Sequence, residues 1–186
     1  MPSTLPDADA RVRVGLFFAI FPPPSVAARI AELGRQLQSV HRLRGALTAP
    51  DRLHVTLYPI DLRKRALRAA VTRARDAALR IKAEPFDVLF NHTQSFEGGY
   101  PFVLMGDRGL VRLADLRRAL GAALYHVELR DGASSFTPHV TLLYGGDRLI
   151  GPHPVSPIRW RVEDFRLILS EHGVGHRIMG QWPLGT

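Results

Sequence analysis

The tetrapeptide His54-Val55-Thr56-Leu57 recurs unchanged as His139-Val140-Thr141-Leu142 in a chain of 186 residues. In each copy the His and Thr are two residues apart, as are the Val and Leu, and side chains two apart on a β-strand point to the same face. Each copy therefore predicts a strand that buries Val and Leu and presents an imidazole beside a hydroxyl. Two such strands, brought together, would place two histidines and two threonines around one cleft.

Strands and helices alternate along the chain around these two copies. An apolar strand at residues 12–21 ends at three prolines, and Ser25 is placed to cap the helix that follows. The first motif strand is expected to end at Pro59, and Asp61 and Asp107 are placed to begin two further helices. In both halves of the chain the motif follows a helix, which indicates two related strand–helix–strand units.

The length of the chain suits one compact domain or two small lobes that share a core. Residues 1–10 are polar and acidic, which predicts a disordered lead-in without a signal peptide. No linker long enough to separate independent domains follows. We therefore predict a single two-lobed α+β domain over residues 11–186, with a cleft between two sheets. Residues 145–157 are rich in glycine and proline and predict a long loop, of the kind that often contacts substrate.

Composition narrows the classes of function. The absence of cysteine excludes disulfides, thiolate catalysis and cysteine-based metal sites. The longest apolar run, residues 14–21, is too short to cross a bilayer, so we expect a cytoplasmic protein with no membrane partner. The formal net charge is +8, and almost all basic residues are arginines. Because a guanidinium matches the geometry of phosphate, this favours a polyanionic ligand, although an arginine-rich set of solvated helix faces would give the same charge.

Histidine and threonine at this spacing suit phosphoryl chemistry. Since an imidazole titrates near neutral pH, one histidine can take a proton from water while a second donates a proton to a leaving oxygen. A threonine hydroxyl two residues along the strand can donate a hydrogen bond to a phosphate oxygen. One copy alone could be a half-buried strand that merely tolerates His and Thr. Two identical copies, each after a helix, favour a metal-free phosphodiesterase.

Metal binding is the competing function for these histidines. His54 and His139 could be ligands, but neither motif has a carboxylate at ligand-like spacing, and zinc usually takes three or four protein ligands. His172 and His176 have i, i+4 spacing, yet two of the three residues between them are glycines. Neither a P-loop nor a G-x-G-x-x-G motif occurs, so we expect no metal and no cofactor. Six histidines are predicted to be surface or core residues: His41, His92, His126, His153, His172 and His176.

The chain resembles a known family, the 2H phosphoesterase superfamily, and in particular its RNA 2′,3′-cyclic phosphodiesterases, also called LigT-like 2′-5′ RNA ligases. The paired motif is the most specific part of this resemblance, which covers nearly the whole chain after residue 11. The other matching segments resemble the family's first, middle and closing strands: Leu16-Phe17-Phe18-Ala19-Ile20, Ser95-Phe96, Pro101-Phe102-Val103-Leu104, Phe165-Arg166-Leu167-Ile168-Leu169-Ser170 and Trp182-Pro183-Leu184.

This resemblance implies a bilobal fold with a central cleft, and the opening of a terminal RNA 2′,3′-cyclic phosphate to a 2′-phosphate without metal or nucleotide. It implies that His54 protonates the leaving 3′ oxygen, that His139 activates water, and that Thr56 and Thr141 hold the phosphate. The residues alone do not assign acid and base, because the two motifs are identical. ATP-independent 2′-5′ joining of RNA, and nucleotide or RNA binding without turnover, remain alternatives.

The chain departs from the family where substrate would lie. The family often has an arginine just after the second motif, whereas Leu143 and Tyr144 stand there in this chain. Arg52 or Arg148 would then have to supply that phosphate contact. Tyr144 could stack on a base, although it could instead pack between the lobes. Phe18 is a further candidate, although packing in the core is favoured for it. The expected partners are RNA ends or small cyclic nucleotides, bound by a monomer.

Overall fold

The computed structural model describes residues 14–62, 67–98, 100–107, 110–130, 132, 135–171 and 175–185, so the predicted lead-in lies outside the described residues. Nine strands and three α-helices are present within them. In chain order these elements are β1 (Val14–Ile20), α1 (Pro24–His41), β2 (Ala46–Leu47), β3 (Val55–Ile60), α2 (Leu67–Ala78), β4 (Phe86–Ser95), β5 (Phe102–Met105), α3 (Val111–His126), β6 (His139–Tyr144), β7 (His153–Val162), β8 (Asp164–Glu171) and β9 (Gly175–Pro183).

The strands form one antiparallel sheet whose order is β7-β4-β5-β6-β3-β1-β8-β9, with β2 added beside β6. Its two halves, β3-β1-β8-β9 and β7-β4-β5-β6, meet where β3 pairs with β6 through Val55 and Val140. These two valines occupy the same position in the two copies of the motif. The predicted α+β class is confirmed, and the two predicted sheets are halves of one sheet that is joined at the repeated motif.

Helices α1 and α3 each pack against the half of the sheet that does not contain the strand preceding them in the chain. Helix α1 follows β1 but packs against β6 and β7 of the other half, whereas α3 follows β5 but packs against β3. Helix α2 packs beside α3. Each motif strand is therefore supported by a helix that the other half of the chain contributes. The buried face of α3 carries Leu113, Leu116, Leu120 and Leu124.

Two of the predicted helix starts are corrected. Helix α1 begins at Pro24, and Pro23 is its N-cap residue, so Ser25 lies inside the helix and caps nothing. Proline suits the first helical position because its fixed φ is helical and its missing N–H would be unpaired there anyway. Helix α3 begins at Val111 rather than at Asp107. The Asp107 carboxylate instead accepts a hydrogen bond of 3.0 Å from the Asn91 side-chain amide. The predicted cap at Asp61 concerns residues 63–66, which lie outside the described residues.

Strand β3 runs through Pro59 instead of ending there. Pro59 lies opposite Phe17 of β1, and its carbonyl accepts a hydrogen bond of 2.8 Å from the backbone N–H of Gly132. Strand β3 pairs with β6 only at Val55, so at Pro59 the edge of β3 that points away from β1 has no neighbouring strand. The missing N–H of proline therefore removes no ladder hydrogen bond.

The glycine- and proline-rich segment after β6 is shorter as a loop than predicted. Strand β7 begins at His153, so the loop covers residues 145–152. It is tied to the end of β4 by Ser95, whose backbone N–H donates to the Ile150 carbonyl at 2.8 Å and whose hydroxyl accepts from the Ile150 N–H at 3.1 Å. Among the described residues, no helix combines the length and apolar character needed to cross a membrane.

Candidate active site

The two motif strands present the side chains that the alternation predicts. Val and Leu of each copy are buried, while His and Thr of each copy are only partly buried and face the opposite side. These four polar side chains line one cavity of about 310 Å³, together with residues from the adjoining loops. The four are His54, Thr56, His139 and Thr141, and the other lining residues are Gly98, Pro101, Tyr144 and Gly145.

Each histidine is anchored through Nδ1 to the carbonyl two residues before it. His54 Nδ1 lies 2.7 Å from the Arg52 carbonyl oxygen, and His139 Nδ1 lies 2.7 Å from the Thr137 carbonyl oxygen. A carbonyl can only accept, so in both rings Nδ1 carries the proton. The Nε2 atom of each ring then accepts a proton when the ring is neutral and donates one when it is charged. Both half-sites thus have the same tautomer.

A phenylalanine also supports each imidazole. The Phe17 ring stacks on His54, with 5.1 Å between centroids and an interplanar angle of 23°. The Phe96 ring meets His139 edge-on, with 4.9 Å between centroids and an angle of 80°. With Nδ1 hydrogen-bonded and a phenylalanine ring packed against it, each imidazole is restricted in rotation, and this favours a fixed direction for Nε2.

Burial lowers the pKa of both histidines. The pKa of His54 is lowered to about 4: burial lowers it most, the hydrogen bond to the Arg52 carbonyl opposes this, and repulsion from His176, His139 and Arg52 adds to the lowering. Burial also lowers the pKa of His139, opposed by the hydrogen bond to the Thr137 carbonyl. Both rings are therefore neutral at pH 7 in the free protein. An anion between them would raise both pKa values, because a nearby opposite charge favours the charged form.

Glycines shape the rim of the cavity after the second motif. Gly145 has a φ of +68°, a backbone conformation that residues with a Cβ rarely adopt. A Cβ on Gly146 would lie 2.4 Å from the Tyr100 carbonyl oxygen, so only glycine lets these two backbones approach. This contact holds Tyr100, the residue before Pro101, close to the rim of the cavity.

Two of the four additional substrate-contact candidates lie at or next to this cavity. Tyr144 lines it and is 49% exposed, so its ring is accessible to a ligand. Arg52 contributes the carbonyl that holds His54, while its side chain lines a neighbouring groove instead of the cavity. No arginine is among the described residues that line the cavity.

The other two candidates, Phe18 and Arg148, do not line the cavity; burial rules out Phe18, whereas Arg148 stays a prediction. Phe18 is fully buried and packs against Phe165 and Trp182, because adjacent residues of a strand point to opposite faces and Phe17 takes the cleft side. Arg148 forms an ion pair of 3.2 Å with Asp147 and is not among the residues that line the cavity.

The prediction for His176 also needs correction. It lies on β9 with its ring centroid 5.2 Å from that of His54, and 5.6 Å from that of Phe17. The register that places His176 opposite Ser170 of β8 turns its side chain to the cleft face. No local pattern around it indicated this position. Among the described residues, no group of three or more His, Cys, Asp or Glu side chains is arranged to hold a metal ion.

Comparisons with known proteins agree with this geometry. The family model described as the 2′-5′ RNA ligase superfamily matches residues 22–173. Among solved structures, Escherichia coli LigT complexed with 3′-AMP is 22% identical with a TM-score of 0.76, over 92% of this chain and 98% of that chain. A crystal structure titled only as a phosphoesterase is 20% identical with a TM-score of 0.72, over 94% and 100% of the two chains.

The Thermus thermophilus protein TT0787 is 25% identical with a TM-score of 0.64, over 91% of this chain and 97% of that chain. No curated protein sequence matches significantly. The family match covers most of the chain and includes both motif strands, and the fold likeness extends over nearly all of it. The chain therefore belongs to the 2′-5′ RNA ligase superfamily, within the 2H phosphoesterases that its sequence resembles.

Proposed function

We propose that this protein is a metal-independent phosphodiesterase that opens RNA 2′,3′-cyclic phosphate ends to 2′-phosphates. The observation that supports this most directly is the pair of matched half-sites around one cavity. Each half-site has a histidine with Nδ1 anchored and Nε2 available, beside a threonine hydroxyl. General acid and base catalysis at a phosphodiester needs two such proton carriers and donors for the phosphate oxygens.

The proposed reaction proceeds by in-line displacement at phosphorus. Neutral His139 takes a proton from water through Nε2 as the water oxygen forms a bond to phosphorus. The bond from phosphorus to O3′ breaks, and protonated His54 donates its Nε2 proton to O3′. Thr56 and Thr141 donate hydrogen bonds to the non-bridging oxygens. The products are a 2′-phosphate and a free 3′-hydroxyl, and exchange with solvent resets both rings.

The family description and the bound ligands of the relatives support an RNA end as substrate. E. coli LigT has been crystallised with 3′-AMP and with ATP, so that protein accepts nucleotides. The superfamily is named for 2′-5′ RNA joining. The same site would perform that reaction if a 5′-hydroxyl of a second RNA replaced the water beside His139. Joining is therefore the second candidate, and it differs from hydrolysis only in the attacking oxygen.

We expect the protein to hydrolyse an oligonucleotide with a 2′,3′-cyclic phosphate end in the presence of EDTA, because the two histidines supply the proton transfers. Mass spectrometry would show the gain of one water, and nuclease digestion would identify a 2′-phosphate. A parallel reaction with added 5′-hydroxyl RNA tests joining. Activity that EDTA abolishes and added metal restores would contradict the mechanism, as would a 3′-phosphate product.

We expect the pH profile of kcat/KM to be a bell centred below pH 6.5. kcat/KM reports the free protein, in which burial lowers the pKa of both histidines from 6.5. The rate falls at high pH because the acid loses its proton, and at low pH because the base gains one. Bound phosphate raises both pKa values, so the bell for kcat should lie at higher pH. A kcat/KM profile with its alkaline limb above pH 7.5 would contradict this assignment.

A further inference from the structure

A second groove, of about 420 Å³, opens beside His54 on the cleft face of β8 and β9, next to the residue that follows β1. Two of its lining side chains touch His54 directly, since the ring centroids of Phe21 and His176 lie 5.5 and 5.2 Å from that of His54. The groove therefore adjoins the proposed reaction site. The lining residues that matter here are Phe21, Arg52, Arg166, His176 and Ile178.

These side chains combine cations with a partly buried aromatic ring, Phe21, and an exposed apolar side chain, Ile178. The Arg166 guanidinium lies 5.1 Å from the Phe21 ring centroid and is held there by Asp164, at 3.1 Å. No ion pair is present at Arg52 within the described residues, and its side chain is exposed. Ile178 is 54% exposed although it is apolar. Single-stranded nucleic acid is typically bound by stacking surfaces beside cations that contact the backbone.

The side of the cavity next to His139 has the opposite character. The depression that adjoins Phe96 there is lined by described residues 94–97 and 149–152, none of which is basic, and Glu97 is acidic. The nearby Arg148 is paired with Asp147. The two half-sites have identical motifs, but arginine side chains, Arg52 and Arg166, line only the groove beside His54, together with one acidic residue, Asp51. Cations next to the reaction site favour a polyanionic chain on that side.

Reaction geometry favours the same side. In an in-line displacement the attacking oxygen and the leaving oxygen lie on opposite sides of phosphorus. The leaving O3′ belongs to the terminal ribose, which carries the rest of the RNA. With His54 as the acid, the ribose and the chain attached to it lie towards His54, and water approaches from the side of His139.

We propose that the groove beside His54 holds the nucleotide that precedes the terminal cyclic nucleotide, so that the preferred substrate is an RNA chain and not a free cyclic mononucleotide. Arg52 contacts the phosphate between these two nucleotides, and Phe21 and Ile178 contact the base. This inference rests on the proposed function, and it adds the minimum length of the substrate and the direction in which the chain leaves the site.

The test compares kcat/KM for adenosine 2′,3′-cyclic phosphate with kcat/KM for a diadenosine that ends in the same cyclic phosphate. We expect the unmodified protein to prefer the dinucleotide by about tenfold or more, the size that one stacked base contributes. In Arg52→Gln, which removes a cation, and in Ile178→Glu, which adds an anion at an exposed position, the ratio should fall towards one.

A matched control is available on the same strand. Arg177 follows His176 on β9 but points to the other face, where it pairs with Glu171 at 3.3 Å. Arg177→Gln removes the same charge as Arg52→Gln and should keep the dinucleotide preference. For longer oligonucleotides, the logarithm of the binding constant falls linearly with the logarithm of the salt concentration. Arg52→Gln should make this slope shallower by about 0.7, the value for one phosphate contact on a single strand.

The outcomes separate this inference from the proposed function. Equal kcat/KM for the two substrates in the unmodified protein would overturn the groove assignment and leave the phosphodiesterase intact. An equal loss of preference in Arg177→Gln and Arg52→Gln would overturn it too, since overall charge would then be the cause. If neither substrate is hydrolysed, the proposed function fails. In that case the groove assignment is tested by binding. The ratio of the affinity for diadenosine ending in a 2′-phosphate to the affinity for adenosine 2′-phosphate is compared between the unmodified protein and the same variants.

Discussion

Replacement of either His54 or His139 by alanine is expected to lower kcat on a cyclic-phosphate-ended RNA by about 10²- to 10⁴-fold, the range for loss of one general acid or base. The double variant should lose less than the product of the two effects, because residues that act together are not additive. Stopped assays of hydrolysis, with circular dichroism to check folding, would measure this. His126→Ala on the exposed end of α3 is the matched control and should keep full activity.

The two histidines should differ on an activated substrate. A nitrophenyl phosphodiester has a leaving group that departs without protonation, so the acid becomes dispensable while the base does not. His54→Ala should therefore recover much of its rate on this substrate, and His139→Ala should not. Full activity of either variant on the RNA substrate would contradict the two-histidine mechanism, and recovery by His139→Ala alone would reverse the two roles.

Thr56→Val and Thr141→Val are each expected to lower kcat by about 10²-fold, as for the loss of one donor to a charged oxygen in a transition state. Valine keeps the shape of threonine and removes the hydroxyl, and both side chains are only partly buried. The free energy of unfolding should therefore change little, while the rate falls. Denaturant unfolding measured beside the kinetics separates these effects.

Serine provides the complementary test at both positions. Thr56→Ser and Thr141→Ser keep a hydroxyl and should retain most of the activity. Thr72→Val is the matched control, since the Thr72 hydroxyl donates to the Arg68 carbonyl within helix α2 and lies away from the cavity. If the valine variants were as active as the serine variants, the hydroxyls would have no part in holding phosphate.

The sequence predicted the motif strands well because their pattern is local. Period-two alternation assigns His and Thr to one face and Val and Leu to the other, whatever the rest of the fold does. Helix starts were less predictable, although Ser25 and Asp107 are good N-cap residues by type. Helix α1 begins instead at a proline one residue before Ser25, and the Asp107 carboxylate accepts a hydrogen bond from Asn91. Propensity is a weak guide when such a tertiary or neighbouring contact competes with it.

Where a strand is apolar on both faces, the alternation of residue types does not predict which face points to the cleft. Residues 14–21 offer Phe17 and Phe18 equally, and only the sheet register shows that Phe17 stacks on His54 while Phe18 enters the core. Register is a property of paired strands and not of one segment. For the same reason the family resemblance suggested the correct strand but not which of its phenylalanines faces the cleft.

By itself, the sequence determined the α+β class, the two motif strands and the family. Those conclusions depend on residue order within short segments and on the resemblance of several such segments, in the same order, to one family. The tertiary structure decided that the two copies meet at Val55 and Val140, that His176 lies beside His54, and that the two identical half-sites have different surroundings. Contacts between distant segments create these features, so no segment read alone contains them.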